Sequence, residues 1–337
     1  MIFNIKKRKP TKSIVFDTYW KFASQRQDIF FEKLFGTNTN LIKDEILKRH
    51  KFTNVYRASD RVSQYLIKNV IYEGKQDFKE VFLRTILFKI FNKISTWELL
   101  SDEFGEIKTK TFDFKRYSEI LLQAVNSKET IYSGAYIMAS GKSSFGYNRK
   151  YENHLCLIQL MLKEKLPERI LAAKSLEQVF YLLKSYPTIG NFLAFQLTID
   201  LNYSENLSFN EMDFVVPGPG AKDGIRKCFL DYGEYTETNI IEYMTDIQES
   251  EFNRLGLSFK TLWGRQLHLI DCQNLFCEVD KYSRVKHPEI IGLSDRKRIK
   301  QLYKPNQTET ITLWYPPKWG INDKIATYYE QNQECIH

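Results

Sequence analysis

The sequence predicts an all-α fold. Apolar residues recur at helical spacing along runs of ordinary helix length, short polar turns separate those runs, and strand signals are few. Apolar residues make up 43% of the 337, the balance of a folded globular protein, and the length suffices for two lobes with separate cores.

Taken in order, the first dozen residues carry Lys6, Lys7, Arg8, Lys9 and Lys12 and read as a solvated basic arm over residues 1–13. Ile14 to Leu34, rich in aromatic rings, reads as a helix. Thr53 to Val70 reads as another, with Arg57, Asp60 and Arg61 on a polar face. Asp77 to Ile94 is apolar almost all round (Phe78, Val81, Phe82, Ile86, Phe88, Ile90, Phe91), which predicts a central buried helix. Phe114 to Val125, Tyr151 to Lys163 and Leu176 to Leu183 continue the pattern, and Asn191 to Leu201 follows a Pro/Gly turn. Phe214 to Gly224 holds two Pro and three Gly, too many for a helix interior. Helices resume at Ile225 to Leu230, Ile240 to Arg254 and Leu267 to Tyr282. Thr308 to Gly320 is extended, either a short strand or a packed tail. With no internal repeat and no low-complexity linker, residues 14–337 read as one helical unit. Its central lobe spans about 71–204, and its second lobe about 14–70 plus 205–337.

Lys and Arg number 49 against 41 Asp and Glu, a surplus of +8 that favours a polyanionic partner. The 24 Phe suit an apolar interior, whereas the 20 Tyr also offer rings for stacking on bases. Cys156, Cys228, Cys272, Cys277 and Cys335 form no Cys-x-x-Cys pair, and no His stands at ligand spacing, so no metal and no other cofactor is expected. The odd cysteine count and the lack of a signal-peptide pattern fit reduced thiols in a cytoplasm. No apolar stretch approaches the length that spans a membrane.

Gly141-Lys142-Ser143 invites comparison with a nucleotide-binding P-loop. That motif needs a glycine at position 136, which is Tyr136, so the segment reads as a flexible polar loop. Two Pro/Gly turns could hold a phosphate on backbone N–H groups: Tyr186-Pro187-Thr188-Ile189-Gly190-Asn191, and Pro217-Gly218-Pro219-Gly220 with Lys222 and Arg226 just beyond it. Each alone reads equally as a plain turn. Asp213, 23 residues after Gly190, favours the first as part of a site.

The stretch YPTIGNFLAFQL resembles the helix-hairpin-helix of the endonuclease III-like DNA glycosylases, whose hairpin reads Leu-Pro-Gly-x-Gly and is followed by a catalytic Asp. Asp213 fits that place. More specifically, the chain resembles the branch of α-glutamyl/putrescinyl thymine pyrophosphorylases, which share a helical domain with 5-hydroxymethyl-deoxyuridine DNA kinases. Three stretches carry this likeness: Asn54-Val55-Tyr56-Arg57 with Asp60-Arg61; Asn210-Glu211-Met212-Asp213-Phe214 with Pro217 to Ala221; and Cys277-Glu278-Val279-Asp280-Lys281-Tyr282. It runs from about residue 15 to 290. The resemblance implies a two-lobed glycosylase-like fold with its active-site cleft between the lobes. Bifunctional glycosylases place a Lys nucleophile two residues after the second hairpin glycine. Phe192 stands there, which implies a water-using, monofunctional reaction.

On this reading Asp213, with Glu211 as runner-up, stabilises charge on the deoxyribose and orients water. The target base is flipped from the stack. Gly190, Asn191, Lys222, Arg226, Arg57 and Arg61 are expected on DNA phosphates, although Arg57 and Arg61 equally suit pairing with Asp60, Glu278 or Asp280. Trp263, Gln266, His268 and Asp271 are the candidate base pocket, or ordinary helix packing. The leading expectation is a DNA glycosylase, a hydrolase that removes a hypermodified pyrimidine, such as a glycosylated 5-hydroxymethylcytosine, from duplex phage DNA as antiviral defence. The alternatives are a transferase that adds an amine or amino acid to an activated 5-hydroxymethylpyrimidine in DNA, and a DNA-binding protein without catalysis.

Overall fold

The computed structural model describes residues 8–34, 42–134, 138–304 and 312–333. It is mostly helical. In chain order the helices are α1 (Ile14–Leu34), α2 (Glu45–Arg49), α3 (Arg61–Tyr65), α4 (Phe78–Phe91), α5 (Ile94–Phe104), α6 (Phe114–Asn126), α7 (Lys142–Phe145), α8 (Lys150–Lys163) and α9 (Leu166–Leu171). They continue with α10 (Leu176–Lys184), α11 (Asn191–Asn202), α12 (Pro219–Cys228), α13 (Glu237–Arg254), α14 (Leu269–Lys286) and α15 (Asn322–Gln333). One antiparallel ribbon pairs β1 (Thr11–Lys12) with β2 (Phe229–Asp231). No helix among the described residues is long and apolar enough to cross a membrane.

The chain divides into two compact units. The first comprises Met1–Asp60, Val215–Leu313 and Ile321–His337; the second, Arg61–Phe214 and Trp314–Gly320.

In the first unit α1 buries Phe16, Tyr19, Trp20 and Phe22. Tyr19 meets Phe276 of α14 at 4.8 Å between ring centroids, Phe22 meets Tyr282 at 5.3 Å, and Trp20 meets Phe252 of α13 at 5.1 Å. Such tilted and edge-on pairs explain where much of the aromatic content goes. The basic arm is tied down where it is described. Arg8 pairs with Asp231 at 2.6 Å, and Lys12 pairs with Glu251 at 2.6 Å while capping the Phe16 ring. Lys6 and Lys7 lie outside the described residues.

The Pro/Gly-rich stretch is not a loop throughout. α12 starts at Pro219, with Pro in the first turn where its missing N–H costs nothing, and runs through Gly220 and Gly224. Both glycines face α14. A Cβ on Gly224 would lie 2.0 Å from the Phe276 carbonyl oxygen, and one on Gly220 would lie 3.1 Å from Cys277 Sγ. The helix propensity lost at two glycines is offset by a backbone approach that no larger residue permits. Asp223, expected in a loop, is therefore a buried helix residue. It accepts from Ser294 N at 2.7 Å and from the Arg296 guanidinium. Burial alone pushes its carboxyl up; these bonds outweigh that and hold it below the usual range.

The Thr53–Val70 expectation is also corrected. Residues 57–59 form a single 3₁₀ turn, Asp60 is extended, and helix begins only at Arg61 before passing into a π-helical turn at Leu66–Ile71. Asn54 and Asp60 are the reason. Asn54 N donates to Asp60 Oδ1 at 2.7 Å and Asn54 Nδ2 to Ser59 O at 2.7 Å, bonds that compete with a helical ladder. Arg57 and Arg61 are thus not neighbours on one helix face; Arg57 belongs to the first unit and Arg61 to the second.

In the second unit α4 is buried on nearly every side, as its pattern predicts. Asp77 caps its start and Asn92, at φ 48°, ends it. Its buried polar residues have structural tasks. Arg84 donates to the carbonyls of Val70 (2.8 Å), Ile71 (3.2 Å) and Lys75 (2.8 Å), closing the π-helical turn. Lys89 reaches Asp200 of α11 at 3.4 Å. Of Thr308 to Gly320, expected as a short strand or a packed tail, residues 308–311 lie outside the described residues; 312–316 form no strand, Leu313 and Tyr315 are buried as in a packed segment, and a 3₁₀ turn follows at Pro317–Trp319.

Gly224→Ala is expected to force α12 and α14 apart and to cost at least about 2–3 kcal/mol in urea unfolding. Gly220→Ala, facing a side chain that can turn, is expected to cost clearly less.

Candidate functional site

The hairpin joins α10 to α11 in the second unit. Tyr186 anchors it, its hydroxyl donating to Glu164 Oε2 at 2.8 Å, and Ile189 N closes the turn on Tyr186 O at 3.3 Å. Thr188 adopts φ +68°, the left-handed region, at the position where the resembling hairpins carry a glycine. Its Oγ1 is buried without a hydrogen-bond partner. No side chain of Gly190 caps the start of α11, whose 12 residues place the positive end of the helix dipole at the hairpin.

The Gly141-Lys142-Ser143 segment supports this hairpin. Gly141 has φ +72°, and a Cβ there would lie 3.3 Å from Thr188 Cγ2. Buried Asn153 pins the loop by donating to Ser140 O (3.0 Å) and Tyr147 O (2.9 Å) and accepting from Tyr147 N (3.0 Å). The segment is a docked brace rather than the flexible loop expected; Tyr136 lies outside the described residues. His154, next along α8, is a satisfied core residue. Its Nε2–H donates to Ala139 O and its Nδ1 accepts from Tyr132 Oη, both at 2.8 Å, and burial lowers its pKa to about 4.

The loop after α11 carries Glu211 and Asp213. Asn202, fully buried, pairs with Phe209 in both directions, donating to its carbonyl at 3.1 Å and accepting from its N–H at 3.2 Å. The Lys318 ammonium donates to Asn202 O, Ser204 O (2.9 Å) and Leu207 O (2.6 Å), a cation on the carbonyl end of the helix. Trp319 Nε1 donates to Glu211 Oε1 at 3.2 Å, and Glu211 is 5% exposed. Asn210 Oδ1 accepts from Met212 N at 3.1 Å while its Nδ2 holds Asp213 Oδ1 at 2.8 Å. Asp213 itself is exposed. Phe214 packs on Phe195 of α11 (6.0 Å) and Phe180 of α10 (5.3 Å), so the residue after Asp213 is held against both helices that flank the hairpin. Asn153, Asn202, Lys318 and Trp319 were invisible to motif reading; only the 105-residue separation of Lys318 from Asp213 is legible in the sequence.

The first unit gathers a second group of the expected residues. Asp271, buried, accepts from Arg57 N at 3.0 Å and from His268 N at 3.1 Å. His268 caps α14, and its Nδ1 faces Arg265 Nη2 at 2.9 Å. A guanidinium only donates, so Nδ1 is the acceptor and the proton sits on Nε2. Burial, then Arg265, depresses the His268 pKa to about 3, so it is neutral at physiological pH. Trp263 packs between Phe31 (5.3 Å) and Tyr328 (5.7 Å), and Gln266 is exposed. Lys222 pairs with Glu237 at 2.8 Å, while Arg226 is exposed. Glu278 accepts from Thr53 N (2.9 Å) and pairs with Lys281 (2.7 Å); Asp280 pairs with Lys227 at 3.0 Å. The Arg57 charge acts on the Asp60 carboxyl, one of the partners that the pairing alternative named.

The family model described as the 5-hmdU DNA kinase helical domain matches residues 13–292. A curated relative named "5-hmdU DNA kinase", from Bacillus phage SP10, is 29% identical over 297 residues, covering 81% of this chain and 45% of the relative. The chain therefore spans less than half the length of that relative. No solved structure matches.

These matches bear out the resemblance to the kinase-related branch and overturn the leading functional expectation. A kinase joins a group to its substrate and leaves the N-glycosidic bond closed, so the glycosylase and hydrolase reading, with its monofunctional excision, is withdrawn. The transferase alternative accords with them better. Neither match extends to the wider helix-hairpin-helix glycosylase superfamily.

Thr188→Gly should relieve the left-handed strain and raise stability by about 0.5–1 kcal/mol in chemical unfolding. A second expectation concerns Asp60, whose carboxyl is pushed up to about 7 by burial, against the pull of the Asn54 N–H and the Arg26 charge. The folded protein then holds a proton that the unfolded chain releases near pH 4, so this group's contribution is full below about pH 4 and is lost as pH rises to about 7. Asp60→Asn keeps the acceptor for Asn54 N and should flatten that slope, leaving the variant about 2–4 kcal/mol more stable than the parent at pH 8 in paired melts at pH 5 and pH 8.

Proposed function

The chain belongs to the family of the 5-hmdU DNA kinase helical domain, and from that premise we propose that it acts on DNA carrying a 5-hydroxymethylpyrimidine, holding the modified base for group transfer at its 5-hydroxymethyl group. The family match over residues 13–292 is the observation that carries this reading. The second unit supplies parts suited to it. The uncapped start of α11 at Gly190 and Asn191 is suited to a backbone phosphate beside the modified nucleotide. Asp213, exposed and fixed through Asn210, is the residue we assign as proton acceptor.

The chemistry is simple to state. A base must leave the stack for its 5-substituent to be reached. The hydroxymethyl O–H then gives its proton to the Asp213 carboxylate as its oxygen bonds to the phosphorus of a transferred phosphoryl group, and the bond from that phosphorus to the bridging oxygen of a nucleoside triphosphate breaks to release the diphosphate. Where the hydroxymethyl already carries a phosphate ester and an amine is the nucleophile, the nitrogen bonds to the 5-methylene carbon as the carbon–oxygen bond to the phosphate breaks, and the same carboxylate takes the amine proton. Glu211, buried against Trp319, positions the loop rather than touching substrate. In the first unit, the Nε2–H of His268 offers a donor of fixed tautomer, and exposed Arg226 offers positive charge for a phosphate; Arg57, 2% exposed, and Lys222, paired with Glu237, are not assigned to DNA. The helix-hairpin-helix order of hairpin, helix and acid loop is part of the same proposal.

Two otherwise identical duplexes, one with thymine and one with 5-hydroxymethyluracil at a single site, test it by band shift and by mass spectrometry of the recovered nucleosides. The modified duplex should be held about tenfold more tightly, and a heavier nucleoside should accumulate when a donor is supplied. Asp213→Asn should keep the binding and lower transfer by about 10²–10⁴. Equal retention of both duplexes, or a fully active Asp213→Asn protein, overturns the reading.

A further inference from the structure

A cavity of about 260 Å³ in the first unit has no part in the site above. Its lining is cationic: Arg26 and Lys33 come from α1, His50 and Lys51 from the end of α2 onward, and Lys304 from the far side. No Asp or Glu is among its described lining residues. Ile29, Leu47 and Phe52 supply an apolar wall.

The frame is built rather than accidental. Lys51 N donates to Gln301 O at 3.1 Å and Tyr303 N to Arg49 O at 3.0 Å, so two backbone segments are laced across one side. Arg26 is fixed by one edge only: Nη2 donates to Asn54 Oδ1 at 2.8 Å, while Nη1 is buried with no hydrogen-bond partner. His50 Nδ1 is likewise buried and unpartnered. Lys33 Nζ is held by the Tyr303 hydroxyl at 2.9 Å. A buried guanidinium N–H without a partner is costly, and a bound acceptor removes that cost at Arg26 Nη1; it does the same at His50 Nδ1 when that nitrogen carries the proton.

We propose that this cavity binds the phosphate group of a nucleotide. The lack of a carboxylate among the described lining residues disfavours an amine or a zwitterionic amino acid, whose ammonium would face Lys33, Lys51 and Lys304. Several cations around one cavity favour a phosphate over a single carboxylate, and guanidinium presents its N–H groups to phosphate oxygens in matching geometry. The Phe52 and Ile29 side accepts the sugar or base, in keeping with a cavity close to the lower limit of small-molecule sites, roughly 300 Å³. This inference stands apart from the transfer reading and does not require a modified base.

Titration calorimetry of the whole chain with thymidine 5′-monophosphate, adenosine 5′-monophosphate and thymidine, followed by competition with a single-stranded oligonucleotide, tests it. Both nucleotides should bind and the nucleoside should not. Lys33→Gln with Lys51→Gln should weaken binding at least about tenfold with an unchanged circular-dichroism melt. Lys304→Gln, an exposed site, gives a second variant with the same expected direction. Displacement of the mononucleotide by the oligonucleotide identifies the phosphate as that of a DNA strand. Mononucleotide binding without displacement identifies a free nucleotide. Failure of both nucleotides to bind, equal binding of thymidine, or unchanged affinity in the variants overturns the proposal.

Discussion

The first unit depends on a missing side chain. Because Gly224 has no Cβ, α12 lies against the backbone of α14, with the Phe276 carbonyl in the space a methyl group would fill. That approach sets the register of everything one turn away. It brings Lys227 to Asp280 at 3.0 Å, with both side chains 3% exposed, and Asp280 also receives Arg284. Arg296 then ties Asp223 to the same cluster. Charges this deep are tolerable only when each has several partners, because one attraction rarely offsets the loss of water. Two acids sharing three bases meet that condition. The cluster is thus a consequence of close helix packing and also a penalty on any other register.

The family stretches take on different meanings in this light. The Pro217 to Ala221 and Cys277 to Tyr282 segments look chemical in a sequence, with glycines fit for phosphate and carboxylates fit for catalysis. Gly220 faces Cys277, and the acids Glu278 and Asp280 are consumed by internal cations or backbone N–H groups. The Asn210 to Phe214 segment is different. Its neighbouring residues hold it rigid from four directions, yet Asp213 is left exposed. Rigid support spent on an exposed carboxylate is what a site needs and what a fold does not.

Much of the fold was legible because long helices announce themselves. α1, α4, α8 and α11 have apolar patterns that survive any tertiary context, and their limits agree with the reading to within a few residues. Failures came where a side chain or a distant residue decides. Asn54 and Asp60 break a helix that periodicity favours, and Arg84 caps a π-helical turn that no local pattern encodes. α2, α7 and α9 are too short to carry a period. At the proposed site, spacing alone singles out Asp213 and the hairpin as candidates. It does not reveal the brace, since Lys318 belongs to a segment with no motif and acts through backbone carbonyls common to every residue.

Reaction type was the least legible property, and the reason is chemical. A carboxylate beside a phosphate anchor does one thing: it accepts a proton from whatever nucleophile is held against it. If that nucleophile is water below the sugar, the glycosidic bond opens; if it is the hydroxyl on the 5-carbon of the base, a group is added and the bond stays closed. The two outcomes require the same acid, the same turn and the same everted nucleotide. They differ only in which atom of the nucleotide lies nearest Asp213, a matter of a few ångströms that neither spacing nor composition records. The missing lysine at Phe192 excludes one kind of covalent chemistry but does not choose between water and a substrate hydroxyl. Kinship with the 5-hmdU DNA kinase helical domain is what favours the second outcome in the function proposed.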